Sequence, residues 1–103
     1  MNPILENNIA SIKSLCNKYK VDRLFAFGSV LSGRFNSASD IDLLVKFQHV
    51  DLFHYADNYF DFKFSLENIL KRNVDLLEEQ AIKNPYLLKS INSSKQLVYG
   101  RPD

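Results

Sequence analysis

Two acids one residue apart, Asp40 and Asp42, stand at the mouth of an apolar run, Ile41-Asp42-Leu43-Leu44-Val45. Side chains on a strand alternate between faces, so Asp40 and Asp42 point the same way while Ile41 and Leu43 point into a core. Like charges side by side repel, and a divalent cation relieves that repulsion. Mg²⁺ takes oxygen ligands from one or two carboxylates together with substrate phosphates. Upstream, the run Phe25-Ala26-Phe27 ends in Gly28-Ser29. A glycine at a strand end, followed by a serine at a helical turn, lets backbone N–H groups approach a phosphate. The same Ser29 also suits a plain N-cap.

A third acid, Asp75, lies inside another apolar stretch, Val74-Asp75-Leu76-Leu77. An unpaired carboxylate is costly within a strand. It either faces water from an edge strand or joins Asp40 and Asp42 in one cluster, where a cation would stabilise all three and its absence would raise at least one pKa. His49 and His54 are five apart, which puts them on different faces of a helix, and both are expected at the surface. Cys16 lies on an apolar stripe with no basic neighbour and reads as a buried, inert thiol; as the single cysteine it excludes an internal disulfide.

These residues need a scaffold. A helix is expected over residues 4–19, where Ile4, Leu5, Ile9, Ile12, Leu15, Cys16 and Tyr19 follow helical spacing behind Pro3. Lys18-Tyr19-Lys20 and Asp22-Arg23 read as a solvated turn. Strands are expected over 24–27, 41–47, 74–77 and 96–99, the last ended by Gly100. Ser29 to Ser32 reads as a helical turn ending at Gly33, and residues 34–38 as a loop. The longest helix spans 51–72, with Asn73 as a left-handed C-cap. One ridge of it, Leu52, Tyr55, Tyr59, Phe62, Leu66, Ile69 and Leu70, covers a sheet. A second, Phe53, Phe60 and Phe64, either packs under the N-terminal helix or forms an exposed aromatic patch for a protein partner. Lys63 and Glu67 are spaced for an i,i+4 ion pair, and Asp57 and Asp61 face solvent. A final helix starts at Asn84-Pro85 with Tyr86, Leu87 and Ile91 inward, and residues 92–95 read as a turn. Glu78 and Glu79 read as loop acids. The fold class is α+β: a small mixed β-sheet covered by helices.

At 103 residues the chain suits a single domain, 1–103. Thirteen Lys and Arg against 12 Asp and Glu leave a net charge of +1, which speaks against direct nucleic-acid binding. No apolar run approaches the ~18 residues of a membrane span, and Met1-Asn2-Pro3 opens no signal-type segment. A cytoplasmic protein without membrane contact is expected.

Gly28-Ser29, ten residues, then Asp40-x-Asp42, followed later by Val74-Asp75-Leu76-Leu77 and Leu97-Val98-Tyr99-Gly100, resembles the signature of the polymerase-beta-like nucleotidyltransferase superfamily, and within it the minimal nucleotidyltransferase (MNT) domains. The likeness covers nearly the whole chain. It implies the nucleotidyltransferase fold and a Mg²⁺-dependent transfer of AMP from ATP, with two Mg²⁺ ions held by Asp40, Asp42 and Asp75 as metal-binding and catalytic acids. It implies that Gly28 and Ser29 cradle the nucleotide's phosphates. Family members often carry basic residues just after Gly-Ser; Val30, Leu31 and Ser32 stand there in this chain, which leaves Arg34 as the nearest nucleotide-binding cation, although a solvated loop position explains Arg34 equally well. Small MNT proteins are commonly antitoxins of HEPN-domain toxins, which implies AMP transfer to a partner tyrosine. Two alternatives remain: a non-catalytic antitoxin acting by binding, and a nucleotidyltransferase for small antibiotic-type acceptors completed by a partner subunit.

Overall fold

The computed structural model describes residues 1–102. Four strands, β1 (Val21–Phe27), β2 (Ile41–Phe47), β3 (Val74–Glu78) and β4 (Gln96–Gly100), form one sheet in the order β3-β2-β1-β4. β1 runs antiparallel to both β2 and β4, and β2 runs parallel to β3. The mixed sheet of an α+β fold is therefore present. The parallel pair needs a long crossover, and helix α3 (Leu52–Leu70) supplies it.

The two faces of the sheet do different work. Leu24, Ala26, Ile41, Leu43, Val45, Val74 and Leu76 share one core with Phe62 and Leu66 of α3 and with Leu5, Ile12 and Cys16 of the N-terminal helices. The opposite face carries a smaller cluster, Phe25, Leu44 and Ile91, with Phe27, Leu77, Ile82 and Leu97 packed against it. Ile91 comes from α4 (Pro85–Ser94), whose start is capped by Asn84 accepting from the Tyr86 and Leu87 N–H groups. Asp42 lies between Ile41 and Leu43, and Asp75 between Val74 and Leu76, so alternation places both acids on this less covered face.

Several local expectations are corrected. The N-terminal helix is two pieces, α1 (Pro3–Asn7) and α2 (Ile9–Lys18), because the Asn8 side-chain amide donates to the Ile4 carbonyl at 2.7 Å and competes with the helix ladder. Asp22 and Arg23 belong to β1, not to a turn; Tyr19 and Lys20 make the turn, Lys20 at φ 58°. Arg23 pairs with Glu79 at 2.6 Å, so Glu79 is no free loop acid, and Glu78 ends β3. Helix α3 stops at a left-handed Lys71 (φ 56°), whose N–H bonds the Glu67 carbonyl, rather than at Asn73. Asn73 is needed in the sheet, where its carbonyl accepts from the Ile41 N–H at 3.0 Å. No Lys63–Glu67 ion pair forms among the described residues, since Glu67 accepts from the Val74 N–H instead. α4 continues through Ser94 where a turn was expected, with Ser93 and Ser94 hydroxyls bonded back to the Ser90 carbonyl.

Exposure settles the two ridges of α3. Phe62, Leu66 and Leu70 are buried, and Tyr55, Tyr59 and Ile69 pack against the core, but Leu52 is 89% exposed. Phe53, Phe60 and Phe64 are 91%, 48% and 57% exposed, so the second ridge does not pack under the N-terminal helices. Tyr86 and Leu87 also face outward, leaving Ile91 as the buried residue of α4. No helix among the described residues is long and apolar enough to cross a membrane.

Truncating the fully buried ring with Phe62→Ala is expected to cost about 3–5 kcal/mol, since transfer and cavity terms add. Phe53→Ala is expected to stay within about 0.5 kcal/mol of the parent. Urea denaturation followed by circular dichroism checks both, and equal destabilisation by the two would contradict the burial described.

Candidate active site

Strand register assembles the site. Phe27 of β1 pairs with Asp42 of β2, and Asp42 pairs with Asp75 of β3, so one row crosses three strands at their site-bearing ends. Gly28 follows Phe27 at the end of that row. Its φ of +73° is a left-handed conformation natural to glycine. A Cβ built on it would sit 2.4 Å from the Asp42 Oδ2. The strand end is therefore open to the Asp42 carboxylate only because this residue has no side chain.

Asp40 stands just outside β2 and is exposed, Asp42 is half-buried, and Asp75 is exposed on the edge strand. The Asp42 pKa is raised, first by burial and then by the negative charges of Asp75 and Asp40. The three acids thus form one electrostatic unit. Asp75 reaches both alternatives considered for it: it faces water from an edge strand and it joins the acid cluster. Tyr59 of α3 lies near by, its hydroxyl donating to the Leu76 carbonyl and its pKa raised by burial and by Asp75.

Gly28–Leu31 forms a 3-10 turn in which Phe27, not Ser29, holds the cap position. The Ser29 carbonyl accepts from the N–H and hydroxyl of Ser32, while the Ser29 hydroxyl has no partner among the described residues. The plain N-cap role for Ser29 is therefore not observed. Arg34 is exposed in the loop, with a guanidinium that makes no side-chain bond among the described residues. His49 and His54 lie away from the row at the surface; His54 stands 3.7 Å from Asp51, the N-cap of α3. Cys16 is buried and its thiol pKa is pushed up to about 12 by that burial, which leaves it inert.

Among the described residues, no three His, Cys, Asp or Glu side chains are grouped so as to hold a metal ion together. The donors nevertheless fit a hard divalent cation. All are carboxylate oxygens, their mutual repulsion is unrelieved, and Gly28 leaves room beside Asp42. Beside the row, α3, β3 and the start of α4 frame an open apolar groove of about 640 Å³ between Tyr59, Phe60, Leu77 and Ile82.

Two side chains at the site carry no signature in the sequence. Arg72 and Glu67, at the end of α3, bond the backbone on either side of the acids. Helical spacing marked Glu67 for Lys63, and nothing in the chain order points Arg72 to a loop 33 residues earlier.

The chain matches the family described as "Polymerase beta, Nucleotidyltransferase" over residues 10–103. It is 38% identical over 87 residues to "Putative protein adenylyltransferase MJ1379" of Methanocaldococcus jannaschii, covering 84% of each chain. Among solved structures it is similar to a "putative minimal nucleotidyltransferase", with a TM-score of 0.75, 28% identity and coverage of 89% of this chain and 90% of that one. One chain of the solved complex of a tri-AMPylated Shewanella oneidensis HEPN toxin with MNT antitoxin shares the fold at a TM-score of 0.64, with 20% identity and coverage of 94% of this chain and 73% of that one.

Ionised Asp42 is disfavoured in the metal-free fold. Between the ordinary carboxyl pKa of about 4 and the raised value, the folded chain keeps a proton that the unfolded chain releases, so stability falls as pH rises through that window. Asp42→Asn in metal-free buffer is accordingly expected to melt above the parent at pH 7, with the difference shrinking toward pH 4. Differential scanning calorimetry at the two pH values checks this; a lower melting point at pH 7 would contradict it.

Proposed function

Because the chain belongs to the Polymerase beta nucleotidyltransferase family, we propose that this nucleotidyltransferase moves AMP from ATP to a tyrosine hydroxyl of a HEPN-type toxin and so acts as its antitoxin. The observation that carries this reading is the register of Asp42 on Asp75, with Asp40 and Gly28 at the same strand ends. The relative named as a protein adenylyltransferase and the AMPylated toxin–antitoxin neighbour support the choice of acceptor. The chain works as one domain, 1–103, in the cytoplasm.

Asp40, Asp42 and Asp75 hold Mg²⁺ in this reading. Two bound ions supply Lewis acidity, neutralising phosphate charge and lowering the pKa of the acceptor hydroxyl. Gly28 keeps the backbone close to the phosphates, and the free Ser29 hydroxyl is available to them as a donor. The unpaired guanidinium of Arg34 swings onto the triphosphate from the loop. Asp75, on the exposed edge strand, faces the acceptor and takes the proton of its hydroxyl. The acceptor oxygen bonds the α-phosphorus as the bond to the bridging oxygen breaks, and pyrophosphate leaves with that electron pair. Positioning and electrostatics account for the rate, as in phosphoryl transfer generally.

A second reading has its own observation. Phe53, Phe60 and Phe64 lie exposed on one helix, with the last two rings stacked at 5.9 Å. Such a surface suits neutralisation of the toxin by contact alone.

Intact-mass analysis of the co-purified partner, after incubation with ATP and Mg²⁺, separates the two. A gain of one or more AMP units with the parent chain, lost with Asp42→Ala, is the expected result. A stable complex with no mass gain from either chain would replace transfer with inhibition by binding.

A further inference from the structure

The segments that carry Asp40 and Asp75 are tied to the same end of α3. Arg72 lies two residues beyond the helix. Its Nη1 donates to the Asn36 carbonyl at 2.9 Å and to the Ser39 carbonyl at 2.6 Å, and its guanidinium rests 4.5 Å from the centre of the Phe35 ring. Ser39 is the residue before Asp40. Glu67, in the last turn of α3, accepts from the Val74 N–H at 2.9 Å, and Val74 is the residue before Asp75. Between these ties, the Ile41 N–H reaches the Asn73 carbonyl at 3.0 Å.

The loop that Arg72 holds is already closed on itself. Asn36 Oδ1 accepts from the Ala38 N–H at 2.8 Å, and the Asn36 N–H donates to the Ser39 hydroxyl at 3.1 Å. A self-bonded turn moves as a unit, so anchoring two of its carbonyls fixes the whole of it. Asp40 needs such an anchor because it is exposed and stands before the first ladder position of β2. Arg72 Nη1 donates to carbonyl oxygens rather than to a carboxylate. It therefore places Asp40 without occupying the lone pairs that a cation requires.

We propose that Arg72 is a positioning residue for nucleotidyl transfer, with Glu67 as its counterpart. Arg72 sets Asp40 through the Ser39 carbonyl, and Glu67 sets Asp75 through the Val74 amide. The inference rests on the roles given to Asp40 and Asp75 under the proposed function. Residues that orient ligands without touching the metal typically change its affinity 10–100-fold when removed, and displacing a reacting group by a fraction of its contact distance slows transfer steeply.

The test is Mn²⁺ binding in the presence of ATP, followed by the electron paramagnetic resonance signal of free Mn²⁺, with melting temperatures recorded in parallel. Arg72→Met keeps the aliphatic stem and removes the donors; it is expected to weaken Mn²⁺ binding about tenfold or more. Arg72→Lys, whose ammonium has N–H groups for both carbonyls, is expected to recover most of that loss. Glu67→Gln, which still offers an acceptor oxygen, is expected to bind nearly as the parent does, whereas Glu67→Leu is not. If Arg72→Met does not fold, Arg72→Gln, too short to span both carbonyls, carries the same comparison. Parent-like affinity in a folded Arg72→Met or Arg72→Gln chain overturns the inference alone. So does a loss that tracks melting temperature across all variants and is not restored by lysine. Absence of Mn²⁺ binding by the parent chain overturns the proposed function, and this inference falls with it.

Discussion

Three carboxylates are held within electrostatic reach of one another at the ends of adjacent strands, and no cation among the described residues pairs with them. Burial of Asp42 and the charges of Asp75 and Asp40 all raise the same pKa. The apolar alternation of β2 and β3 enforces the arrangement: Ile41, Leu43, Val74 and Leu76 enter the core and drive the acids to the opposite face. A one-residue slip of β3 on β2 would send Asp75 into the core beside Phe62 and Leu66, so the hydrophobic register and the acid pairing are one constraint. The repulsion that results is a cost of the fold, and in the proposed function a bound cation relieves it.

The scaffold divides its labour accordingly. One face of the sheet carries the large core with α2 and α3, which gives a stable base. The other carries the small cluster under α4, which leaves the acid end uncovered. Gly28 completes the opening, because any side chain there would collide with the carboxylate of Asp42. The end of α3 joins the base to the site, with a left-handed Lys71 turning the chain so that Asn73, Val74 and Asp75 enter the sheet in order.

Much of this could be read from residue types and spacing. The strand Ile41–Phe47 has the expected limits because its apolar run is interrupted only at Asp42 and Lys46 and ends at the polar Gln48. That Gly28 lies close to Asp42, and Asp42 beside Asp75, follows once a two-residue period is combined with the family resemblance. What escaped is of another kind. Asn8 breaks the first helix through a side-chain bond, and Lys71 adopts a conformation rare for a lysine; both depend on local competition that composition does not reveal. Arg23, Glu67 and Arg72 look like solvated charges in the chain, yet each bonds a partner outside its own element. The outward turn of Leu52, Tyr86 and Leu87 shows the limit of hydrophobicity as a guide to burial, since helical phase, not residue type, decides which side chains meet the sheet.

In the proposed function the three acids act as one cation-dependent site for a nucleotide. Calorimetric titration of Mg²⁺ into the chain, in the presence of an ATP analogue with a non-cleavable α–β bridge, tests it most directly. The expected result is Mg²⁺-dependent nucleotide binding that is lost on either Asp42→Asn or Asp75→Asn, although both variants remain folded. Nucleotide binding indifferent to Mg²⁺, or unchanged by both substitutions, would contradict it.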